Sequence, residues 1–179
     1  IDLRGFTTNA RPGIFSFKPS PIQVNFLGFP GTMGTSFIDY IIADPNLIPQ
    51  SHQNDYSEKI VYLPFCYQPN DRKKEISPRI FTRSELGLPE DAFVYCCFNL
   101  NLKITDNMLN QWADILRETV NSVLWIYIEQ RARENFIQMI SSAGISRNRI
   151  FFAERSSYDE YMSRFFLADL FLDTYPFGG

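Results

Sequence analysis

The chain has 179 residues, of which 45% are hydrophobic and 16% aromatic, with 17 Lys and Arg against 20 Asp and Glu. This composition is typical of one or two globular units and excludes collagen, coiled-coil and low-complexity proteins. The net charge of −3 speaks against a nucleic-acid partner, because binding to phosphate backbones needs clustered Lys and Arg. No stretch approaches the roughly 20 apolar residues of a membrane span, so we also expect no membrane partner.

In the first half of the chain the spacing of hydrophobic residues is irregular. Residues 22–29 predict a strand, residues 30–35 a tight glycine-rich loop, and residues 36–42 either a short helix or a second strand. Residues 59–64 predict another strand. Between residues 68 and 91 the hydrophobic periodicity lapses while proline and charge increase, so we predict a domain boundary there.

The second half alternates apolar runs with amphipathic segments. Four apolar runs predict strands, at residues 93–98, 123–128, 149–153 and 170–173. Three amphipathic segments predict helices, which follow Thr105, span residues 132–143 up to Gly144, and follow Ser156 or Ser157. This alternation is typical of a parallel sheet covered on both faces, so the predicted fold class is α/β.

The cysteines and the histidine suggest no catalytic role. Cys66, Cys96 and Cys97 form an odd set without a CxxC pair, which favours buried thiols over disulfides or metal ligands and fits a cytoplasmic location. The single histidine, His52, lies in a polar stretch and is predicted to be a solvated surface residue. A histidine-based triad would have to use it, so we expect none.

Loops after the predicted strands are the first candidates for a binding site, because an open parallel sheet binds ligands beyond the carboxyl ends of its strands. In the second half they are residues 99–103, 129–131, 154–157 and 174–179. Lys103 can meet a diphosphate as a compact cation. Backbone amides at Ser156 and Ser157 can hold an anion or a base edge, and Gly178 and Gly179 can let the backbone approach phosphate.

A plainer interpretation of these loops stays open. Lys103 can equally be an ordinary surface lysine, and the two terminal glycines an ordinary turn. The sequence has neither a GxGxxG nor a GxxxxGK(S/T) motif, which disfavours dinucleotide and P-loop sites.

Six segments of the chain follow one another in a characteristic order. They are Asp2-Leu3-Arg4-Gly5-Phe6-Thr7, Leu27-Gly28-Phe29-Pro30-Gly31-Thr32-Met33-Gly34, Asp39-Tyr40-Ile41-Ile42-Ala43-Asp44, Leu86-Gly87-Leu88-Pro89-Glu90-Asp91, Phe98-Asn99 with Lys103-Ile104, and Leu167-Ala168-Asp169-Leu170-Phe171-Leu172-Asp173-Thr174. In this order they resemble the catalytic region of the family 41 glycosyltransferases, the protein O-linked N-acetylglucosamine transferases, which in many members follow a tetratricopeptide array. The second and last segments are the most specific.

The resemblance implies two Rossmann-like lobes of a GT-B glycosyltransferase, both incomplete in this chain. Residues 1–75 would form the C-terminal part of the acceptor-side lobe, residues 76–91 a linker, and residues 92–179 the first part of the nucleotide-sugar-binding lobe. The implied activity is transfer of N-acetylglucosamine from its UDP ester to Ser or Thr hydroxyls of a protein or peptide acceptor, without a metal or other cofactor. We expect the chain to be an internal fragment that is weakly active or inactive by itself.

The resemblance also carries specific site residues onto this sequence. Lys103 matches a catalytic lysine that contacts the diphosphate of the donor and stabilises the departing UDP. The positions matching nucleotide-sugar-binding residues are Asn99, Leu100, Lys103, Arg155, Ser156, Tyr161, Arg164, Thr174, Gly178 and Gly179. The positions matching the acceptor side are Thr7, Leu27, Gly28 and Pro30.

Three positions depart from the family pattern. Leu100 replaces a Gln or Asn, Leu102 replaces an aromatic residue, and Tyr161 replaces a histidine of the pocket. The loop before Lys103 therefore lacks an expected hydrogen-bonding group, which leaves two alternatives open. The chain can belong to a relative with another donor sugar or an Asn acceptor, or to a catalytically silent module that binds a sugar nucleotide or a protein.

Overall fold

Seven parallel strands, arranged in two separate sheets, appear in the computed structural model, which describes residues 1–178. The sheets belong to two units, Ile1–Lys73 and Lys74–Gly179, and Gly179 itself lies outside the described residues. The expected α/β class with parallel sheets is thereby confirmed. The lobe and linker limits at residues 75, 76, 91 and 92 stay predictions.

The first unit contains the strands β1 (Val24–Asn25), β2 (Tyr40–Ala43) and β3 (Lys59–Tyr62), which pair in chain order. The choice left open for residues 36–42 is settled in favour of a strand. β1 is much shorter than the predicted strand at residues 22–29, and a parallel bridge from Asp2 to Asn25 extends its edge.

The second unit contains β4 (Phe93–Cys97), β5 (Ser122–Ile126), β6 (Ile150–Phe152) and β7 (Leu170–Phe171), as predicted. Its helices are α1 (Asp106–Glu118), α2 (Arg133–Ser142) and α3 (Tyr158–Arg164). The strands lie side by side in the order β6-β5-β4-β7. Within the unit this is the order third, second, first, fourth, which matches the first four strands of the doubly wound order 3-2-1-4-5-6.

The second sheet is covered on both faces because its central strands alternate between two cores. Tyr95 and Cys97 of β4 pack with α1 and α2, whereas Val94 and Cys96 pack with residues 86–92 and 165–168. Every residue of β5 is buried. No helix of residues 1–178 is long and apolar enough to cross a membrane.

The helix limits follow local signals. The Thr105 hydroxyl accepts a hydrogen bond from the backbone N–H of Met108 and caps α1, as expected. Gly144, with a φ of 86°, follows α2 in the left-handed region that favours glycine. α3 begins after Ser157 and ends at Arg164, so Phe165 and Phe166 lie in a following 3-10 turn rather than in the predicted helix.

Arg149 joins the end of α1 to the start of β5, a role that the sequence did not indicate. Its guanidinium donates to the carbonyls of Leu116 and Thr119 at 2.7 Å and of Ser122 at 2.8 Å, and also to the Ser122 hydroxyl. A cation at a helix C-terminus satisfies carbonyls that have no partner inside the helix.

We predict that Arg149→Met lowers the free energy of unfolding by about 2–3 kcal/mol, because three carbonyls lose a charged donor. Urea unfolding followed by tryptophan fluorescence measures this, since both tryptophans, Trp112 and Trp125, are buried in the second unit. Arg117→Met is the control, because within residues 1–178 Arg117 makes only a surface ion pair with Asp114, worth about 0–1 kcal/mol. Equal effects of the two changes would contradict the assigned role.

The cysteines divide into two classes. Cys96 and Cys97 are fully buried, as expected, and burial raises the pKa of Cys96 to about 12 and that of Cys97 to about 11. The expectation of a buried thiol is wrong for Cys66, which is exposed. His52 is exposed in a 3-10 helix at Gln50–Asp55, as predicted.

We predict that the folded chain exposes a single reactive thiol, that of Cys66. Ellman's reagent at pH 8 should modify one cysteine quickly and the other two only after denaturation, because the thiolate is the nucleophile and burial suppresses it. Loss of the fast phase in Cys66→Ser verifies the assignment. Rapid modification of all three thiols in the native state would contradict the packing of β4.

Candidate active site

The candidate site lies where the strand order reverses. β5 lies beside β4, and β6 lies beyond β5. The next strand in the sequence, β7, lies on the other side of β4. The carboxyl ends of β4 and β7 therefore lie side by side, and such a switch point forms a ligand crevice in open α/β sheets.

Asp169 holds β7 in this position. Its carboxylate accepts hydrogen bonds from the Val94 backbone N–H and from the Arg83 guanidinium, both at 2.7 Å, and its own N–H donates to the Val94 carbonyl. Arg83 also donates to the carbonyls of Ala92 and Leu167. Asp169, which belongs to the family-like segment at residues 167–174, therefore has a structural role.

Asn99 and Thr174 join the two loops at the switch point. The Asn99 amide donates to the Asp173 carboxylate and to the Thr174 hydroxyl, each at 2.8 Å. Thr174 is buried, and its hydroxyl donates in turn to the Phe177 carbonyl at 2.5 Å. These contacts fold residues 173–178 into a compact turn above the sheet.

Lys103 lies on the same turn. Its ammonium group donates to the Gly178 carbonyl at 2.5 Å, from a 3-10 turn at Asn101–Lys103. The structure therefore brings Asn99, Lys103, Thr174 and Gly178 together, although 75 residues separate Lys103 from Gly178. Leu100 begins the same 3-10 turn with an exposed side chain, so an apolar group stands there beside the lysine.

A cavity of about 300 Å³ lies along the same edge of the sheet, beyond the carboxyl ends of β4, β5 and β6. It is lined by Phe98, Tyr127, Ala153, Glu154, Arg155, Ser156, Tyr158, Tyr161 and Arg164. Four predicted nucleotide-binding residues, Arg155, Ser156, Tyr161 and Arg164, are among them.

Arg164 has an unusual environment for an arginine. It is buried, one guanidinium nitrogen donates to the Glu154 carbonyl at 2.6 Å, and the Phe81 ring lies 5.6 Å away. Its Nε is buried and has no hydrogen-bond partner among the described residues. An unpaired buried donor is costly, so this N–H suits a ligand acceptor in the cavity.

Aromatic rings form one wall of the cavity. The Tyr161 ring lies 5.9 Å from Phe98 and 6.1 Å from Tyr158, measured between centroids. Burial raises the pKa of Tyr161 above its ordinary value, so its hydroxyl stays protonated at neutral pH. The wall offers apolar ring surface together with a hydroxyl donor.

Glu154 is the cavity residue with the clearest charge partner. The Arg133 guanidinium donates to it at 2.7 Å and holds the pKa of the carboxyl below its usual range. A carboxylate so stabilised is a poor general base near neutral pH. The loop at residues 129–131, also a sequence candidate, forms a local ion pair between Glu129 and Arg131.

The predicted acceptor-side residues lie in the first unit. A Cβ at Gly28 would stand 2.3 Å from the Arg4 carbonyl oxygen, so only glycine permits this approach of the two segments. Leu27, beside it, has a φ of 75° and a partly exposed side chain. The Pro30 carbonyl accepts from the Tyr56 hydroxyl, and Thr7 lies in the exposed turn that follows Arg4.

Several cavity residues were not predicted. Phe98 and Tyr127 belong to the predicted strands at residues 93–98 and 123–128, but β4 and β5 each end directly before these residues, whose rings line the cavity beyond the strands. Tyr158 was expected only as a helix residue. The signal was available, because each residue comes directly after a strand or opens the helix after one. Among residues 1–178, His, Cys, Asp and Glu form no group able to hold a metal ion.

Comparison with known proteins identifies the family. The model named glycosyl transferase family 41 matches residues 1–79 and 73–178. The chain belongs to glycosyl transferase family 41. The resemblance read from the sequence is thereby confirmed.

Two plant members of family 41 illustrate the similarity. An Arabidopsis thaliana protein named probable UDP-N-acetylglucosamine–peptide N-acetylglucosaminyltransferase SEC is 39% identical over 97% of this chain and 18% of its own length. The SPINDLY protein of Eustoma exaltatum subsp. russellianum, with the same probable activity in its name, is 29% identical over the whole chain and 20% of its own length. The chain thus spans about a fifth of these relatives.

A solved structure supports the fold. A mutant O-GlcNAc transferase of Thermobaculum terrenum aligns with a TM-score of 0.77, at 23% identity, over 92% of this chain and 31% of that one. Together with the two parallel sheets, it confirms the expected Rossmann-like architecture of the GT-B type.

We predict that Thr174→Val lowers the free energy of unfolding by about 1–3 kcal/mol, because the Asn99 amide loses an acceptor and the Phe177 carbonyl a donor. Thr174→Ser is the matched control, since it keeps the hydroxyl. Urea unfolding measures the effect of each change. Equal behaviour of the Val and Ser variants would show that the hydroxyl does not organise the turn.

Proposed function

We propose that the protein containing this chain transfers N-acetylglucosamine from UDP-N-acetylglucosamine to Ser or Thr hydroxyls of protein or peptide acceptors. The observation that carries the proposal is the placement of the Lys103 ammonium at the β4–β7 switch point, next to an aromatic cavity that the Phe98–Lys103 loop helps to build. The names of the family 41 relatives support the donor and the peptide acceptor.

In this proposal the donor lies along the carboxyl edge of the second sheet. The nucleoside occupies the cavity, whose volume of about 300 Å³ is at the lower end of typical small-molecule sites. The pyrimidine stacks against Tyr161, and the unpaired Arg164 Nε donates to a base or ribose oxygen. Backbone groups of Arg155 and Ser156 read the edge of the base.

The diphosphate then lies at the turn formed by residues 173–178. Lys103 exchanges its bond to the Gly178 carbonyl for a diphosphate oxygen, because an ammonium group prefers an anionic acceptor to a neutral one. As the bond between the sugar and UDP breaks, negative charge grows on the β-phosphate. A fixed cation there stabilises the transition state more than the bound donor, which is the condition for catalysis.

We propose that the acceptor binds along Thr7, Leu27, Gly28 and Pro30 of the first unit. The close approach of Gly28 to Arg4 and the bond from Tyr56 to Pro30 keep this surface rigid. Metal-independent transfer is part of the proposal, since Lys103 supplies the positive charge that a divalent cation supplies in other sites. A cytoplasmic location remains a prediction from cysteine usage.

A second candidate is a module that binds a sugar nucleotide without transferring the sugar. Leu100 favours it, because this exposed apolar side chain stands beside Lys103 where the family has an amide. Tyr161 favours it as well, because a phenol replaces an imidazole in the cavity. The two candidates share the donor site and differ in turnover.

We predict that Lys103→Met lowers kcat at least 100-fold, corresponding to about 3 kcal/mol of transition-state stabilisation. Radiolabelled transfer from UDP-N-acetylglucosamine to an acceptor peptide measures it in the protein that contains this chain. Transfer by the wild type should persist in EDTA. Lys103→Arg, which keeps the charge but changes its geometry, should retain more activity than Lys103→Met.

Unchanged turnover in Lys103→Met would refute the role of Lys103. Wild-type protein that binds UDP but transfers no sugar would support the binding module instead. Thermal protection by GDP but not by UDP would replace the proposed donor with a GDP-sugar.

A further inference from the structure

Residues 74–81, called here the 74–81 segment, run along α3. The Ser77 N–H donates to the Asp159 carbonyl, and the Arg79 guanidinium lies 3.5 Å from the Glu160 carboxylate. Further along, the Phe81 ring lies beneath the guanidinium of Arg164. Successive residues of the segment thus follow successive residues of α3, the helix that supplies three side chains to the cavity.

The first residue of the segment reaches the cavity wall. The Lys74 Nζ lies 3.0 Å from the Tyr158 hydroxyl oxygen and 5.1 Å from the centroid of its ring. Tyr158 lines the cavity and opens α3. A positive charge therefore contacts a residue of the cavity wall, from a part of the sequence that is 29 positions before Lys103.

The direction of the hydrogen bond between Lys74 and Tyr158 determines which role is left to the Tyr158 hydroxyl. A lysine ammonium has only donors, so the Tyr158 oxygen must accept from Lys74. The hydroxyl hydrogen of Tyr158 must then point away from the ammonium. Lys74 thereby fixes Tyr158 as a donor toward another acceptor, and the cation strengthens that donor by polarising the hydroxyl.

Tyr158 lies on the cavity side of the proposed donor site. It opens α3, the helix that follows β6, and lines the cavity. Lys103 and the turn at residues 173–178 follow β4 and β7 instead. Lys74 and Tyr158 therefore belong to other elements than the groups at the proposed diphosphate position.

We propose that the Tyr158 hydroxyl donates to a hydroxyl oxygen of the nucleoside and that Lys74 is the positioning residue that orients it, contributed from outside the nucleotide-binding loops. The inference rests on the proposed function, because it takes a nucleoside as the occupant of the cavity. The Lys74–Tyr158 pair would then influence the affinity for the donor independently of Lys103 and Arg164.

The test is calorimetric titration of the protein that contains this chain with uridine and with UDP. Lys74→Met and Tyr158→Phe should each raise Kd about five-fold for both ligands, because the lost contact is to the nucleoside they share. Lys73→Met is the matched control and should change Kd less than two-fold, since Lys73 is exposed beside Lys74. Thermal melting confirms that each variant folds.

The double variant distinguishes a coupled pair from two independent contacts. If Lys74 acts by orienting Tyr158, Lys74→Met with Tyr158→Phe should raise Kd no more than about ten-fold, well short of the 25-fold product expected for independent residues. At saturating donor, kcat should stay within two-fold of the wild type, because a contact made equally in ground and transition states alters only affinity.

Three outcomes would overturn the assignment. A Kd in Lys74→Met equal to that in Lys73→Met, a multiplicative double variant, or an effect on UDP without one on uridine would each contradict the proposed pair. Failure of the wild type to bind either ligand would overturn the proposed UDP donor itself, and the Lys74 assignment with it, so the two failures are distinguishable.

Discussion

The contact on which the candidate site depends is the one between Asp169 and β4. β7 and β4 share only two pairs in register, Tyr95 with Leu170 and Cys96 with Phe171, so backbone pairing alone is a weak attachment. Asp169 reinforces it through Val94 and Arg83, and Arg83 connects it in turn to residues 90–92. Without this anchor the turn at residues 173–178 would have no fixed position relative to Lys103, and the crevice at the switch point would not form.

The two ends of the carboxyl edge of the second sheet carry side chains of different chemistry. The β4 and β7 end holds a cation and a tight polar turn, which suit a diphosphate that gains charge during transfer. The β6 end holds aromatic rings and an arginine with an unpaired nitrogen, which suit a nucleoside. One extended ligand, apolar in part and anionic in part, matches both ends at once, and this match is stronger support for a sugar nucleotide than either end alone.

The sequence predicted the second unit well because its signals are local. Apolar runs identified four strands, and Thr105 identified the start of α1. The first unit was predicted less well: β1 is short because Phe26 and Phe29 donate to the backbone carbonyls of Asp2 and Arg4, contacts that no local pattern encodes. In the site, the resemblance placed Lys103 and Arg164, but the links from Asn99 to Thr174 and from Lys74 to Tyr158 join residues at least 75 positions apart and depend on strand order.

The manner in which α3 is held has a consequence for divergence within the family. α1 is anchored by buried apolar side chains that include Trp112 and Leu116, whereas the buried residues of α3 are Ser163 and Arg164. Its other attachments are polar contacts to the 74–81 segment and the ring contact of Tyr161 with Phe98. Substitutions on the α3 side of the cavity wall therefore cost the buried apolar side chains of the core little. A family built this way can exchange one nucleotide or sugar for another by a few surface replacements, while the sheet and Lys103 remain as they were.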